Sequence, residues 1–146
     1  MSGKKFKVSD ESINSKGIII RTAGIKTDRF LKNPVMLNFH EKKEVFGRWE
    51  DLEKIGTEMF AKPVFDMEDP EAAKTAGKVE RGFLRGSSLG VVPLEYHYDE
   101  KLDAIDCTVS ELREISICSI PSNENSLTLY TQDGAELSEE GRLEVK

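Results

Sequence analysis

The sequence predicts an α+β fold that is mostly β, with about seven short strands and one central helix arranged as a barrel or a sandwich. Two observations lead to this class. Short runs rich in β-branched and aromatic residues recur along the chain, and one segment after Asp69 combines helical spacing with a strong start signal. The 146 residues suit a single domain, 1–146, that can bury a core without disulfide bonds.

Strands dominate the first half of the chain. We expect residues 1–15 to be a polar, flexible arm with room for one short strand, and residues 22–33 to be a connection with a short helical turn. The charged segment 41–44 has the composition of a turn, and Gly56 indicates a hairpin. Apolar or alternating runs predict strands at residues 17–20, 35–39, 45–49 and 57–65.

The second half begins with the predicted helix. Asp69 can cap its free N–H groups, Pro70 fits its first turn, and Gly82 or Gly86 is expected to end it. A charged, solvated tail or helix is expected at residues 131–146. Strands are predicted at residues 87–93, 94–98 and 112–120, with further candidates at 105–109 and 127–130.

Composition excludes several functions. The net charge of −6, from 21 basic and 27 acidic residues, argues against a nucleic-acid-binding protein. Cys107 and Cys118 lie in apolar stretches without the spacing of a zinc site, so no metal is expected. The sequence has no GxxxxGK(S/T) or GxGxxG motif for a nucleotide, and no cofactor is expected. No signal peptide or membrane-spanning run is evident, which places the expected site of action in a cytoplasm, with no membrane partner.

Two histidines and one serine could carry chemistry. His40 follows an apolar strand, where its ring could project into a cleft, although the pattern alone favours a surface histidine at a turn. His97, between two tyrosines, is interpreted as structural or exposed. Ser88 opens a strand after the helix, but its surroundings differ from the GxSxG elbow of the α/β-hydrolases, and serines near glycines are common in turns.

Glu114 is a carboxylate inside an otherwise apolar strand. The alternation of residues 112–120 places Leu112, Glu114, Ser116, Cys118 and Ile120 on one face. Burying an unpaired carboxylate is costly, so Glu114 either faces solvent on an edge strand or has a partner, such as a histidine whose tautomer it fixes. Serine, histidine and carboxylate on three strands are what nucleophilic catalysis needs, but the pattern alone does not bring them together.

Three blocks of sequence resemble the prohead protease family of tailed bacteriophages. The first is NPVMLNFH at residues 33–40, followed by VFGRW at 45–49, where the family has a strand ending in its catalytic histidine. The second is LRGSSLG at residues 84–90, in which Ser88 takes the position of the nucleophile. The third is ELREISICSIPSN at residues 111–123, which resembles the family's next conserved strand.

The resemblance extends to herpesvirus assemblin and implies a closed or partly closed antiparallel barrel with flanking helices. It assigns His40 as general base, Ser88 as nucleophile and Glu114 to the place of assemblin's second histidine. It also suggests the backbone N–H groups of Ser122 and Asn123 as oxyanion donors. The chain departs from the family at Leu89 and Val91, which are mild changes, and at Pro121, where assemblin has a glycine.

The resemblance implies a serine endopeptidase that cleaves scaffold proteins, capsid proteins and itself inside the assembling procapsid, in the host cytoplasm. A homo-oligomer is compatible with the sequence. Two alternatives remain: a protein that keeps this fold without activity and acts in capsid assembly or protein binding, and an unrelated small barrel. The second would be favoured if His40 and Ser88 lay far apart.

Overall fold

The computed structural model describes residues 5–14, 16–118 and 127–135. Phe30 in the short helix and Ala72, Ala76 and Val79 in the longer one are buried. No helix within these ranges is both long and apolar enough to cross a membrane. In chain order the elements found there are β1 (Phe6–Ser9), β2 (Ile18–Ile20), β3 (Ile25–Lys26), α1 (Asp28–Lys32), β4 (Val35–Asn38), β5 (Glu41–Ile55), β6 (Glu58–Phe65), α2 (Pro70–Glu80), β7 (Gly86–Asp99), β8 (Ala104–Cys118) and β9 (Leu127–Leu129).

The described strands form one curled sheet with the order β1-β6-β5-β4-β8-β7-β9, and β2 and β3 also pair with β8. The sheet curls into a half-barrel accompanied by two helices, which confirms the predicted mostly β, α+β class. It is mixed rather than purely antiparallel, because β8 runs parallel to β2, β3 and β4, and β7 runs parallel to β9. The chain between β4 and β8 is long enough for the crossover that parallel pairing requires.

The hydrophobic core lies on one face of the curled sheet and beneath α2. Trp49 is buried there, packs edge-to-face on Phe6 with ring centroids 5.7 Å apart, and donates from its indole nitrogen to the Ile115 carbonyl at 3.0 Å. Phe6 and Val8 are buried in this core, so part of the expected flexible arm is a paired strand. Their apolar area stabilises β1 against β6 even though the flanking residues are polar.

Helix α2 begins and ends as the sequence predicts. The Asp69 carboxylate accepts a hydrogen bond from the Glu71 N–H at 3.0 Å, and Pro70 occupies the first helical position. Gly82 follows the helix with φ +82°, the left-handed conformation that glycine adopts without a steric penalty. The helix therefore ends where the chain must turn back towards β7.

Two local predictions are wrong. Residues 41–44 are the start of the 15-residue strand β5 and do not form a turn, because they continue beside β4, where Asn38 pairs with Glu41. The turn lies earlier, at Phe39 and His40, which have φ of 52° and 62°. The segments 87–93 and 94–98 form one strand, β7, because its register shifts around Pro93 accommodate a residue without an N–H group.

Candidate active site

His40 is fixed by the turn that ends β4. Its backbone N–H donates to the Ser116 hydroxyl at 2.8 Å, and the N–H of Phe39 donates to the Ile117 carbonyl at 3.1 Å. Both turn residues have left-handed backbones, an uncommon state for a bulky side chain that is often found at functional sites. Two bonds to β8 therefore hold the histidine in this uncommon conformation.

Ser88 lies on β7, directly opposite Ser116 on β8. Its neighbours Leu89 and Val91 belong to the core, so Ser88 projects from the other face of the sheet. The Ser88 hydroxyl lies 2.7 Å from Nε2 of His40 and donates to it when the ring carries its proton on Nδ1. The serine exposes only 1% of its surface.

A β-bulge directs Glu114 towards the histidine. Gly90 pairs with Glu114 and the next residue, Val91, pairs with Leu112, so Arg113 is the extra residue. The predicted alternation is therefore wrong at Leu112, which lies in the core. Because of the extra residue, the side chains of residues 112 and 114 point to opposite faces of the sheet. Glu114 projects from the same face as Ser88, its neighbour across the β7–β8 pair.

Three side chains donate to the Glu114 carboxylate, which is 4% exposed. Nδ1 of His40 hydrogen-bonds to Oε2, the Tyr130 hydroxyl donates to the same oxygen at 2.9 Å, and the Ser116 hydroxyl donates to Oε1 at 2.9 Å. An ionised carboxylate can accept all three bonds, and such bonds offset the cost of burying its charge. The solvent-facing, edge-strand interpretation of Glu114 is excluded, because β8 is an interior strand of the sheet.

The absence of a side chain at Gly90 gives the carboxylate its space. A Cβ at this position would lie 2.3 Å from Oε2 of Glu114 and 2.6 Å from Cε2 of Tyr130. Real Cβ atoms do not approach other heavy atoms so closely, and neither neighbour can move freely in a buried, close-packed region. Glycine is therefore required here by packing, whereas its backbone conformation is ordinary.

Sequence reasoning identified Ser88, His40 and Glu114, which the structure brings together, and missed Ser116, Gly90 and Tyr130. Ser116 could have been noticed, because it follows Glu114 by two residues on the same strand. Tyr130 carries no comparable signal. The suggested oxyanion donors Ser122 and Asn123 lie outside the described residues, and His97 is exposed on β7 as expected.

A cavity of about 290 Å³ adjoins the carboxylate. Its walls combine apolar side chains of β4 and β5 with the basic side chains of Lys42 and Arg113. Both cations already have partners, since Lys42 hydrogen-bonds to the Gly134 carbonyl and Arg113 donates to Glu111 at 2.8 Å. The cavity thus borders the carboxylate end of the hydrogen-bonded line, with Glu114 and Tyr130 among its lining residues.

A hydroxyl, an imidazole and a carboxylate lie here in one hydrogen-bonded line on a mostly β half-barrel, in the order in which triad serine hydrolases carry these groups. The chain belongs to the caudovirus prohead serine protease family, whose model matches residues 3–139. It is 27% identical over 114 residues to the prohead protease of Escherichia phage T5, a match that covers 75% of this chain and 53% of that protein. The chain thus spans about half the length of this curated relative. No solved structure matches it significantly.

Proposed function

We propose that the chain is a serine endopeptidase of prohead maturation that acts through an acyl-enzyme. The observation that supports this most is the line from the Ser88 hydroxyl through both nitrogens of His40 to the Glu114 carboxylate. A serine hydroxyl is a weak nucleophile until a base removes its proton, and a base must be held in one tautomer to do so. Membership in the family supports peptide hydrolysis as the reaction.

In the first half of the reaction, the Ser88 oxygen attacks the scissile carbonyl while Nε2 of His40 takes the hydroxyl proton. The ring becomes a cation, and Glu114 stabilises it because it already accepts a hydrogen bond from Nδ1. The product of this step is a tetrahedral intermediate that carries negative charge on the former carbonyl oxygen. Backbone N–H groups at Ser122 and Asn123 are proposed as the donors to that oxygen.

In the second half, His40 gives the proton to the leaving amine, and the peptide bond breaks to leave an ester on Ser88. Water then attacks the ester, and His40 accepts the proton of that water and returns it to the serine oxygen. The cycle consumes one water and restores the starting state, so side chains and backbone N–H groups are sufficient for it.

The proposed substrates are scaffold and capsid proteins and the protease itself, and the proposed place is the assembling procapsid in the host cell. The family description and the name of the T5 relative support this choice. Activation inside the shell is part of this proposal, and the low exposure of Ser88, 1% of its surface, is compatible with a site that is idle outside the shell. Self-cleavage, oligomerisation and the scaffold as substrate belong to the same proposal.

The test co-expresses the chain with the capsid and scaffold proteins of its phage and follows new fragments by mass spectrometry. With the Ser88→Ala variant, shells are expected to assemble but the capsid and scaffold proteins are expected to stay uncleaved. Ser87→Ala is the matched control, because Ser87 pairs with Ile117 and points to the opposite face of β7. Undiminished cleavage with Ser88→Ala would exclude Ser88 as nucleophile.

The burial of Ser88 also favours a second candidate, a protein of this fold that binds capsid components without cleaving them. This candidate predicts intact capsid and scaffold proteins with the wild-type chain as well as with Ser88→Ala. The same co-expression experiment therefore distinguishes it from the protease.

A further inference from the structure

Tyr130 connects the last described segment of the chain to the candidate catalytic carboxylate. β9 lies parallel to β7, and the Tyr130 N–H, immediately after β9, donates to the Val91 carbonyl at 2.8 Å. The side chain is 4% exposed, and its hydroxyl donates to Oε2 of Glu114 at 2.9 Å. Backbone pairing thus places this phenol at the oxygen that also accepts from His40.

We propose that Tyr130 is a positioning residue: its hydroxyl holds Glu114 in the orientation that keeps Nδ1 of His40 bonded. The effect of this positioning on catalysis rests on the proposed function. Ser116 fixes Oε1 and Tyr130 fixes Oε2, so the two donors together define the plane of the carboxylate. Without the Tyr130 hydroxyl, Oε2 keeps only its bond to His40, so no fixed donor holds that oxygen in place while the ring exchanges its proton.

Two further contacts hold Tyr130 in place beside Glu114. Gly90 leaves the space that both the Tyr130 ring and the carboxylate occupy, and a methyl group there would collide with each of them. The second contact comes from Lys42 on β5. Its ammonium lies over the Tyr130 ring, 5.1 Å from the ring centre, and hydrogen-bonds to the Gly134 carbonyl. Contacts from β5 and β7 therefore hold the segment that carries the phenol.

It follows that docking of residues 127–135 on β7 is coupled to the geometry of the triad. A chain in which this segment is not docked retains Ser88, His40 and Glu114 but lacks one of the donors that orient the carboxylate. The coupling acts through a single hydrogen bond, so removing one oxygen atom tests it.

The experiment compares Tyr130→Phe with Tyr98→Phe in the chain of 146 residues. Tyr98 also donates its hydroxyl to a carboxylate, that of Asp103, but at the far end of β7, so its variant is a matched control. The first readout is the set of ring ¹⁵N and ¹H signals of histidine, which the sequence makes simple because only His40 and His97 contribute. Thermal melting checks that each variant is folded.

Tyr130→Phe is expected to shift the His40 ring signals and leave those of His97 unchanged, whereas Tyr98→Phe leaves the His40 signals unchanged. When the chain is assembled into proheads, Tyr130→Phe is also expected to slow the labelling of Ser88 by a fluorophosphonate about tenfold. This is the typical effect of losing one hydrogen bond to a buried charge. Wild-type His40 signals together with a wild-type labelling rate in Tyr130→Phe would overturn the proposal.

A reciprocal measurement keeps the inference testable if Tyr130→Phe does not fold. The chain has three tyrosines, and 3-fluorotyrosine labelling reports on each of them. Glu114→Gln is expected to shift the fluorine signal of Tyr130 and leave that of Tyr98 in place, and an unmoved Tyr130 signal contradicts the contact. Failure of wild-type labelling in proheads would count against the protease itself, and the histidine signals would still decide the role of Tyr130.

Discussion

Ser88 and Ser116 face each other across the pair of strands β7 and β8, and both hydroxyls hydrogen-bond to the same histidine. The Ser88 hydroxyl meets the ring at Nε2, 2.7 Å away, whereas the Ser116 hydroxyl accepts from the backbone N–H of His40 at 2.8 Å and donates to Glu114. In the proposed mechanism Ser88 is the serine that reacts, and Ser116 joins the backbone of His40 to the carboxylate of Glu114.

Ser116→Ala is expected to lower the rate of cleavage without unfolding the protein. The variant removes a donor to Oε1 of Glu114 and the acceptor of the His40 N–H, and the loss of one bond to a charged group corresponds to about 10- to 100-fold. Cleavage of the capsid protein in assembled shells measures the effect. A wild-type rate would show that Ser116 has no part in positioning the histidine.

Ser110→Ala is the matched control on the same strand, and it carries a prediction of its own. Ser110 is 1% exposed, and its Oγ is the one buried side-chain nitrogen or oxygen atom of the described residues without a hydrogen-bond partner. Alanine lacks the unsatisfied hydroxyl and therefore its desolvation penalty, so the free energy of unfolding should stay equal or rise by about 1 kcal/mol. Chemical denaturation measures it, and a clear loss of stability would indicate a partner for this hydroxyl.

Gly90→Ala is expected to disable the site while leaving most of the sheet folded. The new methyl group would meet Oε2 of Glu114 at 2.3 Å and the Tyr130 ring at 2.6 Å, so the carboxylate must move away from His40. The His40 ring signals should shift, and labelling of Ser88 should fall by at least the amount seen with Tyr130→Phe. Normal labelling of a folded Gly90→Ala chain would contradict the packing described for Glu114.

His40→Ala and Glu114→Gln should differ in severity. His40 is the proposed proton acceptor, so its removal is expected to abolish cleavage, whereas Glu114→Gln should retain roughly 100-fold more activity than His40→Ala, because the base itself remains. The amount of capsid protein cleaved on co-expression with each variant measures the two activities. Negligible and equal effects from both variants would remove the assignment of the triad.

Acid stability should depend on an ion pair far from this site. Arg21 donates two hydrogen bonds to Asp106, at 2.9 and 2.8 Å, and these bonds hold the pKa of Asp106 below its ordinary value of 3.8. A carboxyl with a lowered pKa in the folded state stabilises the protein above its unfolded-state pKa, and this contribution is lost as pH falls through the lower, folded-state value.

Asp106→Asn should therefore lower stability near neutral pH and flatten its decline below about pH 4. Arg21→Lys keeps the charge but loses the two-bond geometry, so it should have the same effect in weaker form. Unfolding by denaturant at a series of pH values measures both variants. Parallel curves for Asp106→Asn and wild type would contradict the role of this pair.

The features that the sequence predicts best are those that depend on a few neighbouring residues. Asp69 and Pro70 define the start of α2, and the apolar run before His40 defines β4. A carboxylate at residue 114 in an apolar strand must either reach solvent or have a partner, and the structure shows that it is buried with partners. Each of these follows from capping, periodicity or the cost of burying charge within a few residues. The motif resemblance then selects which serine and which histidine belong to that carboxylate.

Other features depend on contacts between distant parts of the chain. The extra residue at Arg113 is defined only by the register between β7 and β8, and the turn at Phe39 and His40 depends on bonds to β8. Tyr130 reaches Glu114 because β9 adds to β7 in parallel. Side-chain alternation within one strand cannot reveal a bulge, so it assigns Leu112 to the wrong face.

Labelling of Ser88 by a fluorophosphonate tests the central claim most directly. The reagent is added to proheads assembled with the wild-type chain and with His40→Ala, and the modified peptide is identified by mass spectrometry. We predict a single adduct on Ser88 in the wild type and none with His40→Ala. An adduct on another residue, or no adduct in proheads whose capsid protein is being cleaved, would contradict the account.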